Sequence, residues 1–169
     1  MEGDFRVGEG LDIHRFERGR KLVLGGVEIP HHSGLLGHSD ADALLHALMN
    51  AILGAMGQGD IGTHFPDSDP RYKNIASGAL LARVLARMKK SGFAVVNADM
   101  TVVAEAPRLQ PFFPAMKKNI ARLAGIDPAR VNLKAATAEK LGALGKGDGI
   151  LATAVVLLKK RRRAKRSKS

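Results

Sequence analysis

Asp12 and His14 stand two residues apart in Gly10-Leu11-Asp12-Ile13-His14, and His46 follows the cluster Gly37-His38-Ser39-Asp40-Ala41-Asp42. In a strand, a spacing of two puts the carboxylate and the imidazole on one face. In a helix starting at the second cluster, His46 sits one turn past Asp42, on a side able to face that strand. Two imidazoles and one carboxylate supply three ligands to a zinc-like ion and leave the fourth position open, as catalysis requires. The plainer alternative makes Asp12 and His14 ordinary polar residues on the solvent side of a strand; an isolated Asp-x-His favours it, and the rest of the chain overturns it.

Strands are expected over Arg6 to Phe16, Lys21 to Leu24 and Val27 to Ile29, with Gly25-Gly26 as a two-residue hairpin turn. Ser39 reads as a helix N-cap with Asp42 in the first turn, and Leu44, Leu45, Leu48, Ile52 and Leu53 carry that helix toward Gly57. The stretch from Gly57 to Pro70 has no periodicity and two prolines, so it reads as a long loop of the functional kind. Leu80, Leu81, Val84, Leu85 and Met88 mark a second helix ending near Gly92. Strict alternation then predicts a strand with Ala94, Val96, Ala98, Met100, Val102 and Ala104 on one face and Asn97, Asp99 and Thr101 on the other. Phe113, Met116, Ile120 and Leu123 give a third helix closed by Gly125. Strands at Val131 to Ala135 and Ile150 to Leu158 finish the pattern; the last is apolar on both faces, which places it in a buried sheet or against another subunit. This order implies a single α+β domain, a mixed sheet packed with helices.

The chain has 169 residues, long enough for one domain with a real core. It contains no cysteine, which excludes disulfides, thiolate metal sites and a cysteine nucleophile. The net charge is +11, but residues 159–169 hold eight basic residues and no acid, leaving +3 for residues 1–158. Such a block reads as a disordered solvated tail, with weak, salt-sensitive attraction to nucleic acid or anionic surfaces as the sharper alternative. The acidic start Met1-Glu2-Gly3-Asp4 has no apolar stretch behind it, and no run is long enough to span a bilayer, so a cytoplasmic protein is expected.

Five blocks in register carry a resemblance that covers Arg6 to about Lys159. They are Gly10-Leu11-Asp12-Ile13-His14; His38-Ser39-Asp40-Ala41-Asp42 with His46; Gly59-Asp60-Ile61-Gly62 with Phe65-Pro66-Asp67-Ser68-Asp69; Ala106-Pro107-Arg108-Leu109; and Thr137-Ala138-Glu139-Lys140-Leu141-Gly142. In these the chain resembles the 2-C-methyl-D-erythritol 2,4-cyclodiphosphate synthase family of the non-mevalonate isoprenoid pathway. The resemblance implies a chorismate-mutase-like fold, a homotrimer with active sites between subunits, and a CDP-linked small-molecule substrate. It implies intramolecular attack of a 2-phosphate on the β-phosphorus of 4-diphosphocytidyl-2-C-methyl-D-erythritol 2-phosphate, with CMP leaving. By it Asp12, His14 and His46 hold the zinc-like ion, and Glu139 holds a magnesium or manganese ion on the diphosphate. His38 and Thr137 stabilise the transition state. Asp60 and Gly62 match the ribose turn, Ile61, Phe65, Asp67 and Asp69 the loop over the methylerythritol unit, and Ala104, Ala106, Arg108, Leu109 and Gln110 the cytosine pocket. Ser39, Ala136 and Ala138 fall in phosphate-binding blocks.

Departures from the family pattern are also visible. The threonine-rich stretch before Glu139 is reduced to Ala136-Thr137-Ala138. Ala143 replaces a common aromatic and Lys146 a common arginine at positions that line a central channel in the family's trimer, so a secondary isoprenoid-diphosphate site there is in doubt. Several positions keep a plainer alternative: Glu139 as a charged turn residue, His38 as a capping-region histidine, Ser39 as a cap or a phosphate ligand, and Asp67-Ser68-Asp69 as a turn. His31 and His32 match no family ligand and read as exposed loop residues, and His64 adjoins the substrate loop. The competing functions are a metal-dependent nucleotide diphosphate hydrolase and a basic-tailed nucleic-acid or surface-binding protein.

Overall fold

The structure is a computed structural model that describes residues 4–161. Its frame is a five-stranded sheet made of β1 (Phe5–Arg18), β4 (Ser33–Leu35), β5 (Phe93–Val103), β6 (Val131–Ala136) and β7 (Gly149–Lys160), in the order β4-β1-β7-β5-β6. Only the β5–β6 pair is parallel, and the helix α4 (Phe113–Ala124) makes its crossover. A separate hairpin joins β2 (Leu22–Leu24) to β3 (Val27–Ile29). Gly25 and Gly26 have φ of 60° and 72°, the two left-handed positions that a two-residue turn of this kind demands.

One face of the sheet is covered by α1 (Ala43–Met56), α3 (Ser77–Lys90) and α4. All of α1 except Asn50 and Gly54 is buried, so its apolar character runs around the whole helix rather than along one stripe. Gly8 and Gly10 let β1 come against this helix: a Cβ on Gly8 would lie 2.0 Å from the Ala51 carbonyl oxygen, and one on Gly10 2.1 Å from that of Ala47. The opposite face keeps its apolar side chains uncovered by the described residues, with Val7 68% and Val155 44% exposed. The final strand is thus buried on one face only, through Ile150, Ala152, Ala154, Val156 and Leu158.

Four expectations need correction. The N-cap of α1 is Asp42, whose carboxylate accepts from Leu45 N–H, whereas the Ser39 hydroxyl accepts from Ala41 N–H in the preceding turn. In β5 a bulge between Val95 and Asn97 breaks the alternation, so Phe93 and Val95 face the core while Ala94 and Val96 do not. The stretch after Gly57 contains a short helix, α2 (Ile61–His64), capped by Asp60, and a 3₁₀ turn at Pro70–Tyr72 capped by Asp69. The first two residues of the basic segment are not tail: Lys159 and Lys160 are strand residues of β7, paired with Phe5 and Phe93. Residues 162–169 of the tail lie outside the described residues.

Candidate metal centre and its companion pocket

The strand β1 presents Asp12 and His14 on its helix-facing side, and α1 brings His46 to them. His14 Nε2 lies 3.0 Å from Asp12 Oδ2, His46 Nδ1 lies 3.3 Å from the same oxygen, and the two nitrogens are 3.3 Å apart. Asp12 Oδ2 is buried and accepts no well-aligned hydrogen bond. Three donors from the three residues lie within 4.8 Å of one another, a set that fits a divalent ion of the zinc type. Each imidazole is held from behind. His14 Nδ1 donates to the Leu36 carbonyl at 2.6 Å, which leaves Nε2 as the inward nitrogen, and His46 Nε2 reaches the Ser77 hydroxyl at 2.9 Å.

Burial works against the charge on Asp12, but the imidazole nitrogens of His14 and His46, close to its Oδ2 though not aligned as hydrogen-bond donors, outweigh it and hold its pKa below the usual carboxylate value. Burial likewise opposes protonation of His14, and Asp12 overturns it, with help from Leu36 and Asp67, so the His14 pKa is raised. Asp12 and His14 thus favour each other's charged forms, and binding of a divalent ion by this set would be coupled to proton release.

A cavity of about 210 Å³ opens from these donors and is lined also by His38, Ser39, Ile61, Gly62, Phe65 and Asp67. Every expected residue of the metal-side blocks is therefore here except Asp60 and Asp69. Asp60 caps α2 by accepting from the Thr63 N–H and hydroxyl, both at 2.8 Å, and these bonds lower its pKa. Asp69 is gripped by Arg71, whose Nε lies 3.0 and 2.9 Å from its two oxygens and lowers its pKa. The Asp69 carboxylate also caps the Pro70–Tyr72 turn, and the Asp69 carbonyl oxygen stands 3.4 Å from His38 Nε2.

A second cavity, of about 590 Å³, is lined by Ala104, Arg108, Leu109, Gln110, Ala136, Thr137 and Glu139. The Thr137 hydroxyl donates to Glu139 Oε1, and Glu139 and Lys140 both take positive φ, 51° and 64°. Glu105 fixes this turn, accepting from Ala138 N–H at 3.1 Å and from the Lys140 ammonium at 2.5 Å. Ala106 and Ala138 flank the cavity without lining it. Ala143 and Lys146 lie on and just after α5 (Gly142–Gly145), exposed and in neither cavity. His31 is half-buried against the Phe16 ring, 5.2 Å between centroids, rather than exposed, and His64 Nε2 meets the Gln58 carbonyl at 2.8 Å.

The two cavities share no lining residue. His14 pairs with Ile150, the next residue Leu151 pairs with Val103, and Val103 pairs with Ala136. They therefore sit at the same end of the sheet, three strand spacings or about 14 Å apart within one chain.

Sequence reasoning missed Tyr72 and Leu80 in the first cavity, Glu105, Pro107 and Phe113 in the second, and Ser77 behind His46. Ser77 opens a helix, where a serine reads as a cap; only the fold shows its hydroxyl turned to the histidine.

Among the described residues no helix is long and apolar enough to cross a membrane. The model of the YgbB family matches residues 5–159. The 2-C-methyl-D-erythritol 2,4-cyclodiphosphate synthase of Geobacillus thermodenitrificans is 54% identical over 92% of this chain and 98% of its own length. That of Ralstonia pickettii is 56% identical over 92% of each. The solved structure of IspF from Plasmodium falciparum in complex with CDP superposes with a TM-score of 0.82 at 32% identity, covering 96% of this chain and all of the other. The donors on β1 and α1 thus sit in a frame shared along nearly the whole chain, which belongs to the YgbB family, among the 2-C-methyl-D-erythritol 2,4-cyclodiphosphate synthases.

Proposed function

We propose that the protein converts 4-diphosphocytidyl-2-C-methyl-D-erythritol 2-phosphate into 2-C-methyl-D-erythritol 2,4-cyclodiphosphate and CMP, as a phosphorus–oxygen lyase of the cytoplasm. The observation that carries the reading is the convergence of Asp12, His14 and His46, with an unsatisfied carboxylate oxygen, at the floor of a cavity. An oxygen of the 2-phosphate forms a bond to the β-phosphorus. The bond from that phosphorus to the oxygen of the CMP phosphate breaks, and its electron pair leaves with CMP. The substrate carries its own nucleophile, so the protein's task is to align two phosphates and offset their charge.

A zinc-like ion held by Asp12, His14 and His46, and a magnesium or manganese ion at Glu139, supply Lewis acidity toward the phosphate oxygens when bound. His38 lines the metal-side cavity with a ring nitrogen able to donate where charge develops on the reacting phosphate. Thr137 orients the Glu139 carboxylate through its hydroxyl. The cytidine is read by the second cavity, where Ala104, Leu109 and Gln110 form the base pocket and Arg108 its charged rim, while Asp67 and Phe65 close over the methylerythritol unit. Asp60 and Gly62 keep their family roles in this reading, while the Asp69 carboxylate shapes the loop through Arg71 and the turn it caps.

The reading includes a homotrimer with sites between subunits, each substrate bridging the metal-side cavity of one chain and the second cavity of its neighbour. The uncovered apolar face with Val7, Leu11, Ile13 and Val155 is the surface such an assembly would bury.

Phosphorus NMR of the protein with this substrate, zinc and magnesium tests the reaction, with Asp12→Ala as control. Cyclic diphosphate plus CMP from the wild type alone is the expected result. Linear phosphate products would replace the proposal with a hydrolase, and no turnover would leave a binding protein on this fold.

A further inference from the structure

His46 is 7% exposed, and its outer nitrogen faces a buried polar group that the reaction chemistry does not use. Ser77, the first residue of α3 and 0% exposed, places its hydroxyl 2.9 Å from His46 Nε2. The same hydroxyl meets Asp40 Oδ1, and the Ser77 N–H lies 3.1 Å from both Asp40 oxygens. We propose that Asp40 and Ser77 form a positioning relay that fixes the tautomer and ring orientation of His46, and so sets the affinity of the metal site. The proposal rests on the reading of Asp12, His14 and His46 as metal ligands.

For His46 Nδ1 to offer a lone pair toward Asp12 and His14, the ring proton must sit on Nε2, and a buried N–H needs an acceptor. Ser77 can accept it because its own proton is committed to the Asp40 carboxylate. Ser39 is the poorer acceptor: it stands 3.2 Å from Nε2 and already takes the Ala41 N–H at 3.0 Å. The contrast with His14 is informative. There a backbone carbonyl, Leu36 O, does the orienting, and no side-chain substitution removes it. At His46 the same task is done entirely by side chains. The relay is also clamped in place, since Asp40 N–H donates to the Ile75 carbonyl at 3.1 Å and Asn74 N–H to that of His38 at 2.7 Å.

The test is zinc affinity by chelator competition on the full chain, together with the visible spectrum of the cobalt-loaded protein. Asp12→Ala should abolish tight binding. Ser77→Ala should weaken it about 10- to 100-fold and broaden the cobalt bands, while the melting temperature of the metal-free protein stays within a few degrees of wild type. Ser77→Cys keeps the volume but is a weak acceptor, and it should behave as Ser77→Ala does. Asp40→Asn should weaken binding in the wild-type background and add little on top of Ser77→Ala. Wild-type affinity and spectrum in Ser77→Ala or Ser77→Cys would overturn the relay, as would an Asp40→Asn effect of equal size on both backgrounds. If the wild type itself binds zinc no better than Asp12→Ala, the metal reading fails rather than the relay.

Discussion

The two half-sites of this chain are built in opposite ways. The metal half lies in the interior, with donors on a central strand and on a helix buried nearly all round, each imidazole tied from behind. The other half hangs on the edge strand β6 and on an exposed turn, where Thr137, Glu139 and Lys140 are open to solvent and Glu105 is the main brace. Three donors around one ion must be placed before the ion arrives, and packing is what places them. In the proposed reading this half takes the nucleotide and a hard cation, and its openness suits a site that substrate and a neighbouring subunit would complete.

The sharpest way to break this contrast is to disturb the packing. Gly10→Ala drives a methyl group into the Ala47 carbonyl, which is backbone of a rigid helix and cannot swing aside. We expect a loss above about 4 kcal/mol, seen as a failure to fold, or as a melting temperature far below wild type with zinc binding lost. Ala136→Val, on an exposed position of the companion half, should change stability by no more than about 0.5 kcal/mol. Equal melting temperatures and zinc affinities in the two variants would show that β1 and α1 are not held as tightly as the contrast requires.

Next in size is a mixing experiment. Asp12→Ala and Glu139→Ala should each lower turnover by about 10³-fold or more, the equivalent of about 4 kcal/mol of lost transition-state stabilisation. Only Asp12→Ala should lose zinc. If the sites lie between subunits as proposed, the two inactive chains co-assembled from equal amounts should regain about a quarter of wild-type activity, the share of sites that combines two intact halves. No recovery from a verified mixed trimer would place both halves of the site in one chain.

The same contrast explains what the sequence makes legible. Asp12, His14 and His46 can be read because strand period, helix period and ligand chemistry agree at those positions. The three main helices and the Gly25-Gly26 turn can be read for a similar reason: local pattern and tertiary role coincide. The bulge at Val96 cannot, because one extra residue shifts the face without altering composition. The move of the N-cap from Ser39 to Asp42 is equally hidden. Asp42 is chosen by two partners distant in sequence, the N–H groups of Gly25 and Gly26. Ser77 and Glu105 escape because their roles lie in pairings 31 and 33 residues apart in sequence.

Asp42 offers a smaller effect with a defined sign. Burial pushes its carboxyl up to about 6, against the pull of the N–H groups of Leu45, Gly26 and Gly25. Unfolded, it titrates near 3.8, so between these values the native state holds the extra proton and stability falls as pH rises. The displacement is worth about 3 kcal/mol. Wild-type stability relative to Asp42→Asn, from urea titrations, should therefore decline by up to that amount from pH 4 to pH 7. A flat difference would mean that the three N–H groups keep the carboxylate ionised and that burial does not dominate.

The smallest expected difference separates two carboxylates that the sequence treats alike. Asp67 lines the metal-side cavity and acts electrostatically on His14, whereas Asp69 spends its oxygens on Arg71 and on capping the Pro70–Tyr72 turn. Asp67→Asn should raise KM about tenfold through lost contact with the substrate, with kcat less affected, the signature of a binding group. Asp69→Asn removes one side of an exposed ion pair, so kcat/KM should change by less than about threefold. If instead Asp69→Asn is the more damaging of the two, the turn must rearrange when substrate binds and release Asp69 from Arg71. The loop would then belong with the open half of the site rather than with the packed one.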